Sequence, residues 1–406
     1  MYSPVAQVAV FKFLGFAINF LSILLIARYM EKDVAGQYFT WLNICLIGTI
    51  FLQIGIPQTL MRGIAQGKIK SRSINLYWKS ANVFALLIST VLILIVILLK
   101  SNYFYHMAFL ILAVFCCLNC NVIIFILRGK LDYKNAAFRE SILRPSLILI
   151  FTALAVISGP VSSVLVLVGC YFFAVLVSLL FDSKFILQSF SSRHLLTPKD
   201  FIDRLRKTYK LGLNGGLNQL LVTIDVILVS LLMSHDMASE LKLAVSFAGL
   251  ASIASISKQY LAGPVLAKMA VDDNFLDIRK YLVREILKVV ISMLLLWVLL
   301  TCLLYVSADI LLGPNYEKLY QTFLILFLPY SMNSILGFLI MTLVAFRHEH
   351  RAIKVMILVC VTYVICAFMI IPAIGVFGVA FSFAVGCSLG IVVSLRSLTR
   401  IRRAMG

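Results

Sequence analysis

An aspartate, Asp225, lies well inside an apolar run, residues 211–233, that is long enough to cross a membrane. A carboxylate buried in hydrocarbon costs about 3 kcal/mol or more, so an acidic residue at this depth indicates a function or a specific partner. On a helix, Asn214, Asn218 and Asp225 lie within about 40° of one another. The pattern predicts a helix with a polar cavity along one side. The opposite side carries small residues that suit close helix packing, Gly212, Gly216, Thr223 and Ser230.

A second polar stripe lies in the first apolar run, residues 9–27. Lys12 and Asn19 share one face of the predicted helix, and Ser22 lies toward the edge of that face. We expect both polar stripes to line a cavity rather than to face lipid.

The composition indicates an integral membrane protein. Hydrophobic residues make up 62% of the 406 residues and charged residues only 13%, against about 45–50% and about 25% in soluble domains. The net charge of +19 comes from basic residues that lie mostly between the apolar runs. This placement is typical of charges that set membrane topology, and it argues against a nucleic-acid partner.

The apolar runs predict an all-α membrane protein with about twelve transmembrane helices. The basic residues alternate between connections, and all but five of 36 fall on one side, which the positive-inside rule makes cytoplasmic. Both termini are then cytoplasmic, and the first run is expected to stay as a helix because it lacks the features of a signal peptide. The predicted spans are residues 9–27, 38–60, 80–99, 106–127, 141–157, 162–181, 211–233, 241–261, 289–306, 320–346, 355–371 and 376–395.

The chain divides into two halves around a basic connector. We predict a six-helix bundle over residues 1–182, a cytoplasmic connector over 183–210 and a second six-helix bundle over 211–406, with pseudo-two-fold symmetry between the bundles. The connector is expected to contain an amphipathic helix on the inner membrane surface, capped by Thr197. A solvated linker helix is the alternative. Paired halves are typical of transporters, whose sites lie near mid-membrane.

Features that would support an enzyme are absent from the sequence. No outer loop is longer than roughly a dozen residues, and no nucleotide-binding, hydrolase or metalloprotease motif occurs in a suitable context. The isolated Cys117 and Cys120 and the His348–His350 pair are weak metal signals. We therefore expect no enzymatic activity, no metal and no cofactor. Gly55 and Pro57 in the second span, and the glycines that open the seventh, indicate points where helices bend.

Several motifs, in order, resemble the polysaccharide flippases, the O-antigen (Wzx-like) transporters of the MOP superfamily. Residues 24–67 are similar to the first two helices of that family, and the resemblance covers nearly the whole chain. Ser239 departs from the Gly or Tyr common after the seventh helix. The residues that carry the resemblance are Gly55, Pro57 and Arg62 in the second helix, Asp225 in the seventh, Gly313 and Tyr316 before the tenth, and Pro372, Gly375 and Gly378 before the twelfth.

This resemblance implies a bacterial inner-membrane protein of two six-helix bundles. Its implied task is to move an undecaprenyl-pyrophosphate-linked oligosaccharide, such as an O-antigen repeat unit for lipopolysaccharide biosynthesis, from the cytoplasmic to the periplasmic leaflet by alternating access. The implied partners besides this substrate and the lipid bilayer are a polysaccharide polymerase and a chain-length regulator. One alternative is an ion-coupled small-molecule exporter of the same superfamily. A membrane polysaccharide polymerase is a further alternative that the short outer loops disfavour.

The implied substrate suggests roles for the polar residues. Lys12, Arg62 and Lys258 are candidates to bind the pyrophosphate near the inner mouth, although cations there also snorkel to the interface.

The carboxamides of Asn19, Asn214 and Asn218 are candidates to bind sugar hydroxyls, or alternatively to pair between helices. Asp225 cannot attract an anion, so we expect it to couple transport to a proton or sodium gradient, or to form a salt bridge that closes one state.

Overall fold

A computed structural model describes most of the chain. The apolar stretches form helices because in hydrocarbon every backbone donor and acceptor must find its partner within the segment. The described residues are 4–65, 67, 69, 71–98, 104–158, 163–182, 197–253, 255–256, 258–259, 262, 265–266, 269, 275–312, 316, 319–346 and 348–405.

The described residues form long helices, and each of the twelve predicted spans coincides with helical residues. Part of the predicted span 241–261 lies outside the described residues. The helices are α1 (Pro4–Tyr29), α2 (Lys32–Gln53), α3 (Ile56–Ala65), α4 (Ser71–Leu98), α5 (Phe104–Gly129), α6 (Tyr133–Phe138), a π-helical turn (Arg139–Leu143), α7 (Arg144–Ile157), α8 (Val164–Leu180), α9 (Pro198–Leu232), α10 (His235–Ala251), α11 (Phe275–Leu312), α12 (Leu319–Ala345), α13 (Glu349–Ile374) and α14 (Val376–Met405).

Within the described residues, 8 helical stretches are long and apolar enough to cross a membrane, and two shorter apolar stretches, Val164–Leu180 and Gly216–Leu232, accompany them. The predicted all-α membrane fold is confirmed. The chain divides into two compact units, Met1–Thr223 and Ile224–Gly406, here called the N-terminal and C-terminal units. The predicted bundle boundaries at 182 and 211 stay predictions.

The second predicted span is not one helix but two. Helix α2 ends at Gln53, and Ile54 and Gly55 have positive φ angles of 43° and 69°. Two successive left-handed residues stop the helical hydrogen bonding, and α3 starts again at Ile56, next to Pro57, whose ring suits a first turn. The break lies where the sequence predicts a bend.

This break packs directly against α9 inside the N-terminal unit. A Cβ atom added to Gly55 would lie 2.3 Å from the backbone nitrogen of Gly212 and 2.5 Å from the carbonyl oxygen of Thr208. A Cβ added to Gly212 would lie 2.4 Å from the carbonyl carbon of Ile54. The two backbones therefore touch at a point where only glycine fits.

The connector helix and the seventh span form one continuous helix, α9, which begins at Pro198. The predicted cap is confirmed, because the backbone N–H of Asp200 donates to the Thr197 hydroxyl at 3.2 Å. The guanidinium of Arg204 lies over the ring of Tyr77 on α4, 4.6 Å from its centroid. The predicted connector helix does not end before the span, because Gly212 packs against Ile54 and Gly55 and does not terminate the helix. Its position on the membrane surface stays a prediction. Residues 183–196 of the connector lie outside the described residues.

The fifth span contains a π-helical turn that follows from its sequence. Pro145 has no N–H to donate to the carbonyl of Ser141, four residues earlier, and its ring would collide with that carbonyl in a regular helix. Widening residues Arg139–Leu143 into a π turn relieves the collision. Gly15 of α1 packs on this turn so closely that a Cβ there would lie 2.2 Å from the Ser141 carbonyl oxygen.

A buried network of three polar side chains joins α4 to α5 in the N-terminal unit. Trp78 donates from Nε1 to Asn119 Oδ1 at 2.5 Å, and the Nδ2 groups of Asn82 and Asn119 donate to each other's Oδ1 atoms at 3.2 and 2.9 Å. All three side chains are buried. The network fixes the register of the two helices, because no water replaces a lost partner in the membrane interior.

We expect Asn119→Leu to lower the unfolding temperature of the purified protein in detergent clearly, because Trp78 Nε1 and Asn82 Oδ1 lose their partner, at about 1–3 kcal/mol for each stranded group. Trp78→Phe removes one donor only and serves as the control, with a smaller expected shift. An unfolding temperature equal to that of the wild type for Asn119→Leu would show that the network carries no stability.

Candidate substrate cavity and coupling site

Helix α1 has two exposed sides of different chemistry. Its exposed apolar residues Val10, Leu14 and Leu21 lie together on one side, and exposed Phe13 lies roughly 60–100° from them, as expected for contact with lipid. Asn19 is also exposed, but on a regular helix it lies roughly 140–180° away from Val10, Leu14 and Leu21 and roughly 120° from Phe13. A carboxamide exposed at mid-helix and turned away from the lipid side needs a hydrated space. On a regular helix Lys12 lies on the same side as Asn19. That this stripe lines a substrate cavity stays a prediction.

Helix α9 is exposed near both ends of one side, at Tyr209 and at Leu231, which is 72% exposed. Between them that side is packed against protein, since Gly216 and Thr223 lie on it and are buried. Asn218 is exposed on the opposite side, again roughly 140–180° away. Asn214 is helical, but its side chain lies outside the described residues.

Lys12 forms an ion pair with Glu140. Its Nζ lies 2.6 Å from Oε2 of Glu140 on the π turn. The guanidinium of Arg128, in the last turn of α5, contacts the same oxygen. The side chains remain 39% exposed for Lys12, 31% for Glu140 and 22% for Arg128. We call these three residues the Glu140 cluster.

Sequence reasoning missed Glu140 and Arg128. Both residues fall in a basic stretch that the hydropathy pattern assigns to a cytoplasmic connection. The available signal was the Pro145 that follows Glu140 by five residues, since it predicts a distorted helix at this point. Without the helix packing, the pairing of Glu140 with Lys12 of α1 could not be predicted.

Two more arginines, one in the π turn and one at the start of α7, form polar contacts within the N-terminal unit. Arg144 donates from Nη2 to Asn121 Oδ1 at 2.9 Å. Arg139 pairs with Asp182, which is buried. Charged groups inside a membrane protein are usually paired in this manner, because the unpaired charge is costly to bury.

The other two predicted cations have different surroundings. Arg62 is exposed in the last turn of α3. Lys258, in the C-terminal unit, lies 3.4 Å from Glu285 Oε2, and Lys288 lies 3.1 Å from Oε1 of the same carboxylate. Lys258 is 46% exposed, whereas Glu285 is 9% exposed. Each of the two lysines among the three predicted cations thus faces a carboxylate that a second cation also contacts.

Asp225 lies buried in the C-terminal unit, at 3% exposure. Its carboxylate interacts electrostatically with Lys242 of α10, Tyr330 of α12 and Tyr363 of α13. The Tyr363 hydroxyl is buried and has no hydrogen-bond partner among the described residues. Lys242 lies within α10, as the predicted span 241–261 implies.

The Asp225 carboxylate thus accepts a hydrogen bond from the Val226 backbone N–H at 2.8 Å and lies within electrostatic range of one ammonium and two phenols in an apolar interior. Such a set holds one proton or one small cation more readily than it holds an anion, because the carboxylate is the buried negative charge. Among the described residues, no three His, Cys, Asp or Glu side chains form a metal-binding group.

Comparisons with known proteins agree with this architecture. The family model described as polysaccharide biosynthesis protein matches residues 5–270. No curated protein matches the chain. Among solved structures, the lipid II flippase MurJ in an inward closed conformation aligns with a TM-score of 0.75 at 14% identity, over 97% of this chain and 87% of that chain.

Two transporters also align over nearly their whole lengths. A multidrug resistance MATE family transporter of the MOP superfamily, in an inward-facing conformation, has a TM-score of 0.74 at 12% identity over 99% of both chains. A MOP superfamily transporter from Pyrococcus furiosus has a TM-score of 0.63 at 13% identity, over 98% of this chain and 95% of that chain. Identities this low establish the fold alone.

The predicted resemblance is confirmed. The matching family model is described as a polysaccharide biosynthesis protein, and the solved structures that share the fold are a flippase and transporters. From the family match over residues 5–270 and the shared fold, the chain belongs to the polysaccharide biosynthesis protein family and has the fold of the MOP superfamily transporters.

Proposed function

We propose that the chain moves an undecaprenyl-pyrophosphate-linked oligosaccharide, such as an O-antigen or other surface polysaccharide repeat unit, between membrane leaflets by alternating access. One observation carries the proposal: a chain of the polysaccharide biosynthesis family has the fold of transporters. A protein with this fold contributes to polysaccharide synthesis most directly by carrying an intermediate across the membrane.

The polar faces of α1 and α9 support this substrate. Exposed carboxamides at Asn19, turned away from the exposed apolar residues of α1, and at Asn218, opposite the packed side of α9, suit sugar hydroxyls. In the N-terminal unit we assign Lys12 and Arg62 to the pyrophosphate and Asn19, Asn214 and Asn218 to the saccharide. In the C-terminal unit Lys258 is a further candidate cation.

We assign Asp225 to coupling. The buried carboxylate beside Lys242 alternates between two states in this proposal: it pairs with the ammonium, or it binds a proton or sodium ion taken from the gradient. A change of partner at a buried charge shifts the balance between two helix arrangements, because an unpaired buried charge is costly. The chain itself then needs no resident cofactor.

The proposed membrane is the bacterial inner membrane, with both termini cytoplasmic. The positive-inside distribution of Lys and Arg supports this orientation. The substrate would then be loaded from the cytoplasmic leaflet and released to a polysaccharide polymerase and its chain-length regulator on the periplasmic side.

The test in cells is the leaflet on which the lipid-linked repeat unit lies in a deletion strain. We expect the unit to accumulate on the cytoplasmic leaflet and to reach the periplasmic leaflet again when the wild-type chain is supplied. A periplasmic, unpolymerised unit in the deletion strain would instead favour a polymerase.

A second candidate function is export of small molecules coupled to an ion gradient. The likeness to the MATE family transporter, which covers 99% of both chains, favours it. Drug sensitivity of the deletion strain with normal surface polysaccharide would support export over flipping.

A further inference from the structure

We infer that the Glu140 cluster is an exchangeable anion site, in which the Glu140 carboxylate occupies the position of a phosphate group until a pyrophosphate displaces it. This inference rests on the proposed function for the identity of the natural ligand. It adds Arg128 and Glu140 to the residues of the binding site. Arg128 binds the anion, and Glu140 competes with the anion for the two cations.

The geometry of the cluster is that of an occupied anion site. Lys12 Nζ lies 2.6 Å from Oε2 of Glu140, and Arg128 contacts the same oxygen atom. Neither cation forms another ion pair in the described part of the chain. One carboxylate oxygen therefore holds two cations together, and the cluster keeps a net charge of +1.

A pyrophosphate would satisfy these cations better than a carboxylate does. It carries more negative charge and more acceptor oxygens, so the lysine and the arginine each gain a separate oxygen, with a two-bonded geometry open to the guanidinium. The exchange requires that the site be reached from water or from the headgroup layer. Partial exposure of all three side chains provides that access.

The depth of the cluster suits the first contact with a lipid-linked anion. Arg128 lies in the last turn of α5, where the predicted cytoplasmic connection starts. The pyrophosphate of a substrate in the cytoplasmic leaflet lies at the same headgroup level as the ends of the helices. The cluster is therefore placed to load the substrate rather than to bind it at mid-membrane.

The frame around the cluster is rigid. The π turn carries Glu140, and Gly15 fixes α1 against Ser141 of that turn by backbone contact. The guanidinium of Arg128 lies over the Phe125 ring, 4.9 Å from its centroid. The backbones that carry Lys12 and Glu140 and the guanidinium of Arg128 are thus held by contacts that do not depend on the carboxylate, which lowers the cost of binding a new anion.

Binding of inorganic pyrophosphate and of farnesyl pyrophosphate to the purified full-length protein in neutral detergent, followed by calorimetry, tests the inference. We expect Glu140→Gln to bind both probes about tenfold tighter than the wild type, because the competing carboxylate is gone. Lys12→Gln and Arg128→Gln are expected to bind about tenfold weaker, and Lys12→Arg to bind as the wild type does. Tighter binding of the farnesyl probe than of the free anion would identify a lipid-linked ligand, and equal binding a site for free pyrophosphate.

Glu31→Gln is the matched control, because it makes the same charge change at an exposed position before α2. Equal tightening by Glu31→Gln and Glu140→Gln, or no pyrophosphate binding by wild type and Glu140→Gln alike, would overturn the inference. Glu140→Asp keeps the charge on a side chain that is one methylene shorter, and its affinity for pyrophosphate should lie between those of the wild type and Glu140→Gln. It replaces Glu140→Gln in the test if that variant folds poorly. Altered binding without leaflet transfer would refute the flippase proposal alone, and transfer with unaltered binding would refute the anion site alone.

Discussion

Gly55→Ala is expected to destabilise the N-terminal unit by about 2–5 kcal/mol, from about 1–2 kcal/mol for a left-handed alanine and about 1–3 kcal/mol for overpacking. The methyl group would lie 2.3 Å from the Gly212 nitrogen and 2.5 Å from the Thr208 carbonyl oxygen. These are backbone atoms of α9, so no side chain can rotate to make room. The expected readout is a large loss of monodisperse protein and a lowered unfolding temperature in detergent.

Gly67→Ala separates the two contributions to this effect. Gly67 has a φ angle of +66°, close to the +69° of Gly55, but a Cβ there meets nothing within 4 Å. The Gly67→Ala variant should therefore lose only about 1–2 kcal/mol of stability, the cost of the backbone angle.

Gly212→Ala is a second test of the contact, and Gly249→Ala is its control, since a Cβ on Gly249 also meets nothing within 4 Å. Equal stability of Gly55→Ala and Gly67→Ala would contradict the close contact between α9 and the break in the second span.

Asp225→Asn is expected to lower the rate of transport about 10- to 100-fold. Typical coupling free energies between two ligands correspond to factors of this size. Asparagine matches aspartate in size but neither binds a proton at this site nor neutralises Lys242. The measurement is the rate of leaflet transfer, with the amount of folded protein determined in parallel. Asp236→Asn, at an exposed position in the first turn of α10, is the control with the same charge change.

The double variant Asp225→Asn with Lys242→Gln distinguishes coupling from a purely structural ion pair. Removing both charges relieves the unpaired ammonium, so stability should recover relative to Asp225→Asn. Transport should remain low, because the site for the proton or cation is still lost. Recovery of transport along with stability would show that Asp225 only neutralises Lys242.

Local sequence signals predicted the spans and a bend at the point where α2 ends and α3 begins. Hydropathy determines where a chain can cross a membrane, and the Gly55–Pro57 signal acts on its own backbone, so neither depends on distant residues. Thr197 and Asp200 predicted their cap for the same reason. The continuous helix α9 was not predicted, because whether Gly212 ends a helix or admits a neighbour depends on the packing of Ile54 and Gly55 against it.

The candidate sites were predictable only in part. The polar faces of α1 and α9 follow from helical periodicity, which fixes the direction of Asn19 and Asn218 relative to exposed apolar residues. The partners of Lys12 and Asp225 do not follow, since Glu140 is 128 residues from Lys12 in the chain. Ion pairs at such separations arise from helix packing, which periodicity does not encode.

Transfer by the purified chain in liposomes is the most direct measurement of the proposed function. A pyrophosphate-linked oligosaccharide on a polyprenol, labelled on the sugar, is placed in both leaflets, and the fraction reached by a membrane-impermeant reagent is followed over time. We predict that the wild-type chain makes the inner-leaflet pool accessible, faster with an imposed proton or sodium gradient, and that Asp225→Asn leaves it protected. An inner pool that stays protected with folded wild-type protein under every gradient would contradict the proposal that this chain is the flippase.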